Sequence, residues 1–250
     1  LMYKPGKFNF RASYAAGFRT PTLSELYATD IAKKNDRLTI GNLDLKPEKN
    51  NYFSLSAEYV HERFSVSVNA FYNNIRDMID YNTIATGDKA MEQYGHKEVR
   101  QRDNIAEAKV HGINVSANAY LGAGFNLSGG YTHLNTQDVE LEQPIDKSIK
   151  NAYNINAQWA HSWKIYRLNI NLNGRFNSKR FSKSYGYAPE YQLWDLNTRH
   201  SFNLKSVIIE PGCGMENLFD YMDDRPYNSN YATLTPGRSF YISLSLKFKS

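Results

Sequence analysis

Arg167–Phe176 reads RLNINLNGRF. Leu168, Ile170, Leu172 and Phe176 fall on one face, and Asn169, Asn171, Asn173 and Arg175 on the other. Strict alternation marks a strand with one apolar and one polar face. The polar half is the informative one. A soluble sandwich covers its outer face with Lys and Glu. Asparagine at every second position suits a wall whose polar side meets a water-filled lumen and whose apolar side meets hydrocarbon.

The same pattern recurs in YFSLSAEY (52–59), FSVSVNAFY (64–72), INVSANAYL (113–121), YNINAQW (153–159) and SFYISLSLKF (239–248). Ten strands are predicted, at 8–18, 50–61, 64–82, 104–121, 125–136, 151–162, 165–177, 191–203, 207–218 and 238–249. Short turns containing HER, GAG, SWK and LKS alternate with long connections at 19–49, 83–103, 137–150, 178–190 and 219–237. Long structureless loops are uncommon inside compact soluble domains. An antiparallel meander puts alternate connections at opposite ends, so short turns at one end and long loops at the other describe an outer-membrane barrel. The expected fold is therefore all-β, an antiparallel transmembrane β-barrel wall. Tyr59, Tyr72, Trp159 and Tyr191 are expected in its aromatic girdles. The competing fold is a soluble, lectin-like β-sandwich.

Composition narrows the function. A single cysteine, Cys213, excludes an internal disulfide framework and a cysteine-rich metal site. No run of eighteen apolar residues supplies a transmembrane helix. The net charge of +5 is spread along the chain, and the dense basic stretches KKNDR and NSKRFSKS fall in predicted loops, so no nucleic-acid partner is expected. The histidines at 61, 96, 111, 133, 161 and 200 lack metal-ligand spacing. No nucleophile or phosphate-loop motif is present, so an enzyme is not expected. A barrel-rim outer-membrane hydrolase and a passive porin remain the alternatives.

Ala16–Ala28, AGFRTPTLSELYA, changes character at its middle. It ends a strand at Phe18 and opens a short helix with Thr22 and Glu25 at capping-box spacing. Pro21 cannot donate to a ladder, so pairing stops there. Arg19 carries a five-donor fork suited to a carboxylate or backbone carbonyls, with Glu25 and Asp44 the first candidate partners. The loop closes on GNLDLKPEKNNYFSLSAEY, where Lys46 before Pro47 is driven extended into the next strand.

These two stretches resemble the paired sequence boxes of TonB-dependent outer-membrane receptors, especially the haem and cobalamin branches. Phe18, Arg19, Thr20 and Pro21 match the first box, with Thr20 where Ala is commoner. Asn42, Leu43, Asp44, Leu45, Lys46, Pro47 and Glu48 match the second, with Leu43 in place of its usual proline. NLFDYMDDRPY and PGRSFYISLSLKF resemble the family's last two strands, with Phe248 as the near-terminal aromatic. The resemblance implies a barrel of about 22 strands around an N-terminal plug. Residues 1–250 are then expected to be its C-terminal ten strands, since LMYKPGKFNF lacks the apolar core of a signal peptide. It also implies uptake of a scarce nutrient, an iron chelate, haem or cobalamin, driven by the TonB complex through the plug. Outer-membrane lipid, lipopolysaccharide and a surface lipoprotein are the other implied partners, and the outer membrane of a Gram-negative bacterium the location. No resident cofactor is expected.

Cargo contacts are expected in the loops. Tyr27, Tyr185 and Tyr187 are candidates for an aromatic mouth around a flat or ring-shaped cargo. The loop between the boxes has no histidine, whereas haem receptors are expected to carry one there. His96 beside Tyr94 is the histidine placed in a long loop, read first as a solvated loop residue and otherwise as the residue to which an iron-ligand role would move. A metal chelate or corrinoid is expected over haem.

Overall fold

The computed structural model describes residues 1–182, 186–223 and 236–249. In chain order its elements are β1 (Met2–Tyr3), β2 (Phe8–Arg19), α1 (Leu23–Tyr27), β3 (Thr29–Ala32), β4 (Arg37–Ile40), β5 (Glu48–Val60), β6 (Phe64–Thr86), α2 (Gly87–Tyr94), β7 (Glu98–Gly122) and β8 (Phe125–Asp138). There follow β9 (Asn151–Trp163), β10 (Tyr166–Asn177), β11 (Arg180–Ser182), β12 (Gly186–Ala188), β13 (Tyr191–Asn203), β14 (Val207–Glu216) and β15 (Ser239–Phe248). One sheet runs β1-β2-β5-β6-β7-β8-β9-β10-β13-β14-β15, antiparallel throughout and in sequence order. Its ten long strands are the ten that periodicity predicts. β1 and β15 are its two edges, so the wall is open.

The two faces separate as the alternation requires. Phe64, Ala119, Leu127, Ala157, Leu172, Leu196, Met215 and Phe240 are successive register partners, an apolar row crossing eight strands. Phe64 is 42% exposed, Leu127 38% and Phe240 69%, and among the described residues no second layer covers them. Among the described residues there is no second sheet that could make a sandwich, the only other sheet being the β11–β12 hairpin. The opposite face is amide-rich: Asn156 Nδ2 donates to Asn171 Oδ1 (3.2 Å) and Asn173 Oδ1 (2.6 Å).

The register is staggered. Ala12, in the middle of β2, leads straight across through Leu55, Ala70, Ile113 and His133 to Asn151, the first residue of β9. A row that climbs from mid-strand to strand end shows strands tilted to the wall's axis, the shear that a barrel needs.

The long connections carry more structure than expected. β6 runs on to Thr86 and β7 begins at Glu98, so the predicted 83–103 connection shrinks to α2 and a turn. The 19–49 connection contains α1 and the β3–β4 hairpin, and the 178–190 connection contains β11 and β12. The physical reason is a small core above the wall: Leu38, Ala90 and Val99 are buried together, with Ile40, Ala85 and Tyr94 against them. One girdle residue also moves. Tyr191 pairs with Asn177 on the polar face, where its hydroxyl accepts from Asn177 Nδ2 (2.6 Å) and its ring stacks on Tyr221. Tyr59, Tyr72 and Trp159 remain on the apolar face, against Phe64, His111 and Phe125.

Candidate functional site

The site begins where β2 ends. The capping box is formed: Glu25 N–H donates to Thr22 Oγ1 (3.2 Å) and Thr22 N–H donates to Glu25 Oε2 (2.8 Å). The same carboxylate receives Arg19 Nη1 at 2.9 Å. Arg19 and Glu48 are the terminal register pair of β2 and β5, and Arg19 grips Glu48 with two further bonds, Nε to Oε2 (2.7 Å) and Nη2 to Oε1 (2.5 Å). Glu48 Oε1 also accepts Ile79 N–H from β6 (2.9 Å). One guanidinium thus joins both boxes. Its hydrogen bonds hold Glu25 down at about 2 and Glu48 below the usual carboxylate range, and the two carboxylates raise Arg19.

Of the two expected partners of Arg19, Glu25 is bonded and Asp44 is replaced by Glu48. Strand register explains the replacement, because Glu48 lies directly opposite Arg19 whereas Asp44 precedes β5. Asp44 N–H instead donates to Asn42 Oδ1 (2.9 Å), an Asx turn. Leu45 is buried, and Lys46 is held by Asn104 of β7 through N–H to Oδ1 (2.7 Å) and Nδ2 to carbonyl (2.9 Å). Gly41 approaches α1 so closely that a Cβ would lie 2.5 Å from the Leu26 carbonyl oxygen. Phe18 is 76% exposed on the apolar face, Leu43 is exposed, and Thr20 and Pro21 form the break after β2.

Above the boxes, the β3–β4 hairpin docks on the wall. β4 pairs in parallel with the start of β7, Leu38 opposite Val99, and α2 lays Ala90 on that pair. Asp36 Oδ1 lies 2.8 Å from His96 Nδ1, and the Asp36 carbonyl accepts Lys97 N–H (3.1 Å). The bond to His96 lowers the Asp36 carboxyl from its ordinary value. His96 therefore braces the hairpin tip, and Tyr94 packs on the small core.

Strand alternation sends Arg37, Thr39 and Arg100 to the side opposite that core. With Arg102, Tyr81 and Asp30 they line a cavity of about 190 Å³. The Arg102 guanidinium stacks 3.6 Å from the Tyr81 ring centroid, and its Nη2 donates to the Tyr81 hydroxyl (2.5 Å). Arg100 Nε bonds Glu98 (2.6 Å), and buried Arg37 Nε has no partner among the described residues. Three guanidinium groups beside an aromatic ring can offer directional donors to a planar or aromatic anion, alongside the carboxylates of Asp30 and Glu98. Sequence reasoning missed it, although the alternation in RQR, with both arginines on one strand face, is a legible trace.

The expected cargo contacts are not brought into one place. Tyr27 ends α1, 67% exposed. Tyr187 lies on β12, edge-on to Phe181 at 5.3 Å, and Tyr94 and His96 belong to the α2–β7 junction. Tyr185 lies outside the described residues.

The sequence model of the family described as TonB dependent receptor-like, beta-barrel matches residues 1–218. Similar solved structures include the siderophore receptor PirA of Pseudomonas aeruginosa, at 16% identity and TM-score 0.67, covering 100% of this chain and 41% of that one. A variant of the ferric enterobactin receptor PfeA of Pseudomonas aeruginosa gives 19% identity and TM-score 0.74, over 97% of this chain and 38% of that one. PirA of Acinetobacter baumannii gives 16% and 0.74, over 99% and 40%. At these identities the structural likeness speaks for the fold, and the chain spans about two fifths of the length of the receptors it resembles. With most of its length matched by the family's sequence model, the chain belongs to the TonB-dependent receptor-like β-barrel family.

Proposed function

We propose that residues 1–250 form the C-terminal wall and outer loops of a Gram-negative outer-membrane receptor that imports an anionic ferric chelate with energy from TonB. The observation that carries the cargo class is the Arg37–Arg100–Arg102 pocket stacked on Tyr81. Carboxylate and catecholate chelators leave negative charge around iron, and guanidinium forks bind such oxygens with directional bonds. The similar structures named for siderophores support this cargo over a corrinoid, which would present the pocket with far less negative charge. Haem is disfavoured because His96, the candidate axial ligand, is engaged by Asp36.

The clamp of the two boxes fixes the base of the loop that carries Arg37, so cargo selection and loop folding reside in different residues. A strain lacking the receptor, complemented with wild type or with Arg100→Ala/Arg102→Ala, tests this through uptake of radiolabelled ferric chelates. The double variant is expected to lose about tenfold in apparent affinity, the scale of one or two charge-assisted hydrogen bonds. Unchanged affinity for every chelate that the wild type imports overturns the pocket assignment. Uptake that persists without TonB makes the protein a passive channel.

A further inference from the structure

The short turns hold the chain's charge excess. Residues 4–7, 61–63, 123–124, 164–165 and 204–206, with residue 249, all lie at one end of the sheet. They carry Lys4, Lys7, Arg63, Lys164, Lys205 and Lys249 against the single acid Glu62. That excess of five equals the net charge of the whole chain, +5, so everything else sums to neutrality. The six cations are exposed, and among the described residues none is ion-paired. A rim built only to face water has no reason to collect one sign of charge.

The cations border rings. Lys7 precedes Phe8, Arg63 precedes Phe64, and Lys164 follows Trp163. Trp163 stacks on Tyr166 (5.5 Å), which packs on Phe202 (5.0 Å) and reaches His200 Nδ1 through its hydroxyl (2.7 Å). Amphipathic rings in such a row sit where hydrocarbon meets headgroups, so the adjoining cations stand at phosphate depth. Below them, Phe125, Leu127, Trp159, Leu172 and Leu196 line an apolar groove of about 570 Å³ on the outward face.

We infer that this rim is a binding surface for anionic glycerophospholipids of the leaflet at the short turns, with phosphates against the six cations and an acyl chain along the groove. Charge complementarity selects the occupant: a zwitterionic lipid gains little from unpaired cations, whereas each cation near an anionic lipid surface favours it by about fivefold. The inference rests on the outer-membrane reading above and adds a lipid preference to it.

The full-length receptor is reconstituted into bilayers of equal phosphatidylglycerol and phosphatidylethanolamine, extracted with its surrounding lipid, and that lipid is quantified by mass spectrometry. Wild type is expected to retain phosphatidylglycerol at about five times its bulk ratio, falling toward the bulk ratio in about 0.5 M salt. A variant with all six cations changed to Gln is expected at the bulk ratio. Should it fail to give a heat-modifiable barrel, Lys164→Gln/Lys205→Gln beside the Tyr166 rings is expected to lower the enrichment. A loop control, Lys33→Gln/Lys34→Gln/Lys89→Gln, is expected to leave it unchanged. Wild type at the bulk ratio, enrichment that survives in the turn variants, or equal loss in the loop control overturns the inference while leaving the receptor reading intact. Failure of the wild-type barrel to enter bilayers removes both.

Discussion

Arg19 and Glu48 face each other as the last pair of the β2–β5 ladder, and guanidinium and carboxylate meet there through bonds of 2.7 and 2.5 Å. The strand pairing ends at the same point at which the two sequence boxes are tied together. The chain therefore closes the base of its longest outer loop with side chains that the ladder itself has already aligned.

Lysine keeps the charge of Arg19 but not the fork. Arg19→Lys is expected to loosen residues 20–47, seen as faster proteolysis of that loop in the full-length receptor, with the barrel still heat-modifiable. Because Arg19 is 44% exposed, the global stability change should stay near 1 kcal/mol or below. Loop proteolysis equal to wild type would show that the clamp is dispensable.

Glu25 titrates far below its ordinary 4.5, at about 2, chiefly through its hydrogen bonds with Arg19. A carboxyl lowered in the folded state contributes stability that is present above its unfolded value and lost as pH falls through the folded one. Protection factors of the Thr22–Ala28 amides should thus hold steady from about pH 5 to 8 and fall between about 4.5 and 2. In Glu25→Gln the protection should be low at neutral pH already. A midpoint near 4.5 in the wild type would show that Arg19 does not hold this carboxylate.

Gly41 has no room for a side chain against the Leu26 carbonyl. Gly41→Ala is expected to displace α1, breaking the bonds from Gly41 N–H to the Ala28 carbonyl (2.8 Å) and from Asn42 N–H to the Glu25 carbonyl (3.0 Å). Cysteine labelling at Tyr27→Cys should quicken in that background, and an unchanged rate would show that the contact yields without cost.

His96 is a brace, so His96→Gln should keep most of the hairpin docking, and Asp36→Ala should free it. Titrating the full-length receptor with haem and following the Soret band is expected to give no shift that depends on His96. A His96-dependent shift would make this a haem receptor.

Leu172 and Asn171 sit on opposite faces of β10. Leu172→Arg is expected to cost about 2–4 kcal/mol in folding into bilayers if its row lies near mid-membrane, whereas Asn171→Ala should change stability little. Equal effects would contradict the assignment of faces.

The wall was legible because a period of two survives any uncertainty in strand ends, as in Leu168, Ile170 and Leu172 against Asn169, Asn171 and Asn173 of β10. What escaped needed partners. The extension of β6 and β7 is hidden by register shifts around Met78, where Asp77 takes a φ of 56°. Tyr191 reads as a girdle residue until pairing with Asn177 decides its side. Glu48 becomes the partner of Arg19 only once the register is known. The arginine pocket draws on residues 37, 81, 100 and 102, separated in sequence and united by a parallel pairing of β4 with β7 that no local pattern announces. The boxes themselves were readable as motifs, but their role as one clamp was not.

The buried cluster of Leu38, Ala90 and Val99 fastens the β3–β4 hairpin and α2 onto the far end of the β6–β7 ladder, where Val99 pairs with Ala85. Two scales of stability follow. A core of three small and medium side chains supplies only a few kcal/mol, so the cap is expected to open locally as its own cooperative unit before the ladder behind it does. Each opening would carry Arg37 away from Arg100 and Arg102 and dismantle the pocket without disturbing a single strand of the wall. Opening of that one small hairpin would thus open or close the arginine pocket while the long strands keep their pairing.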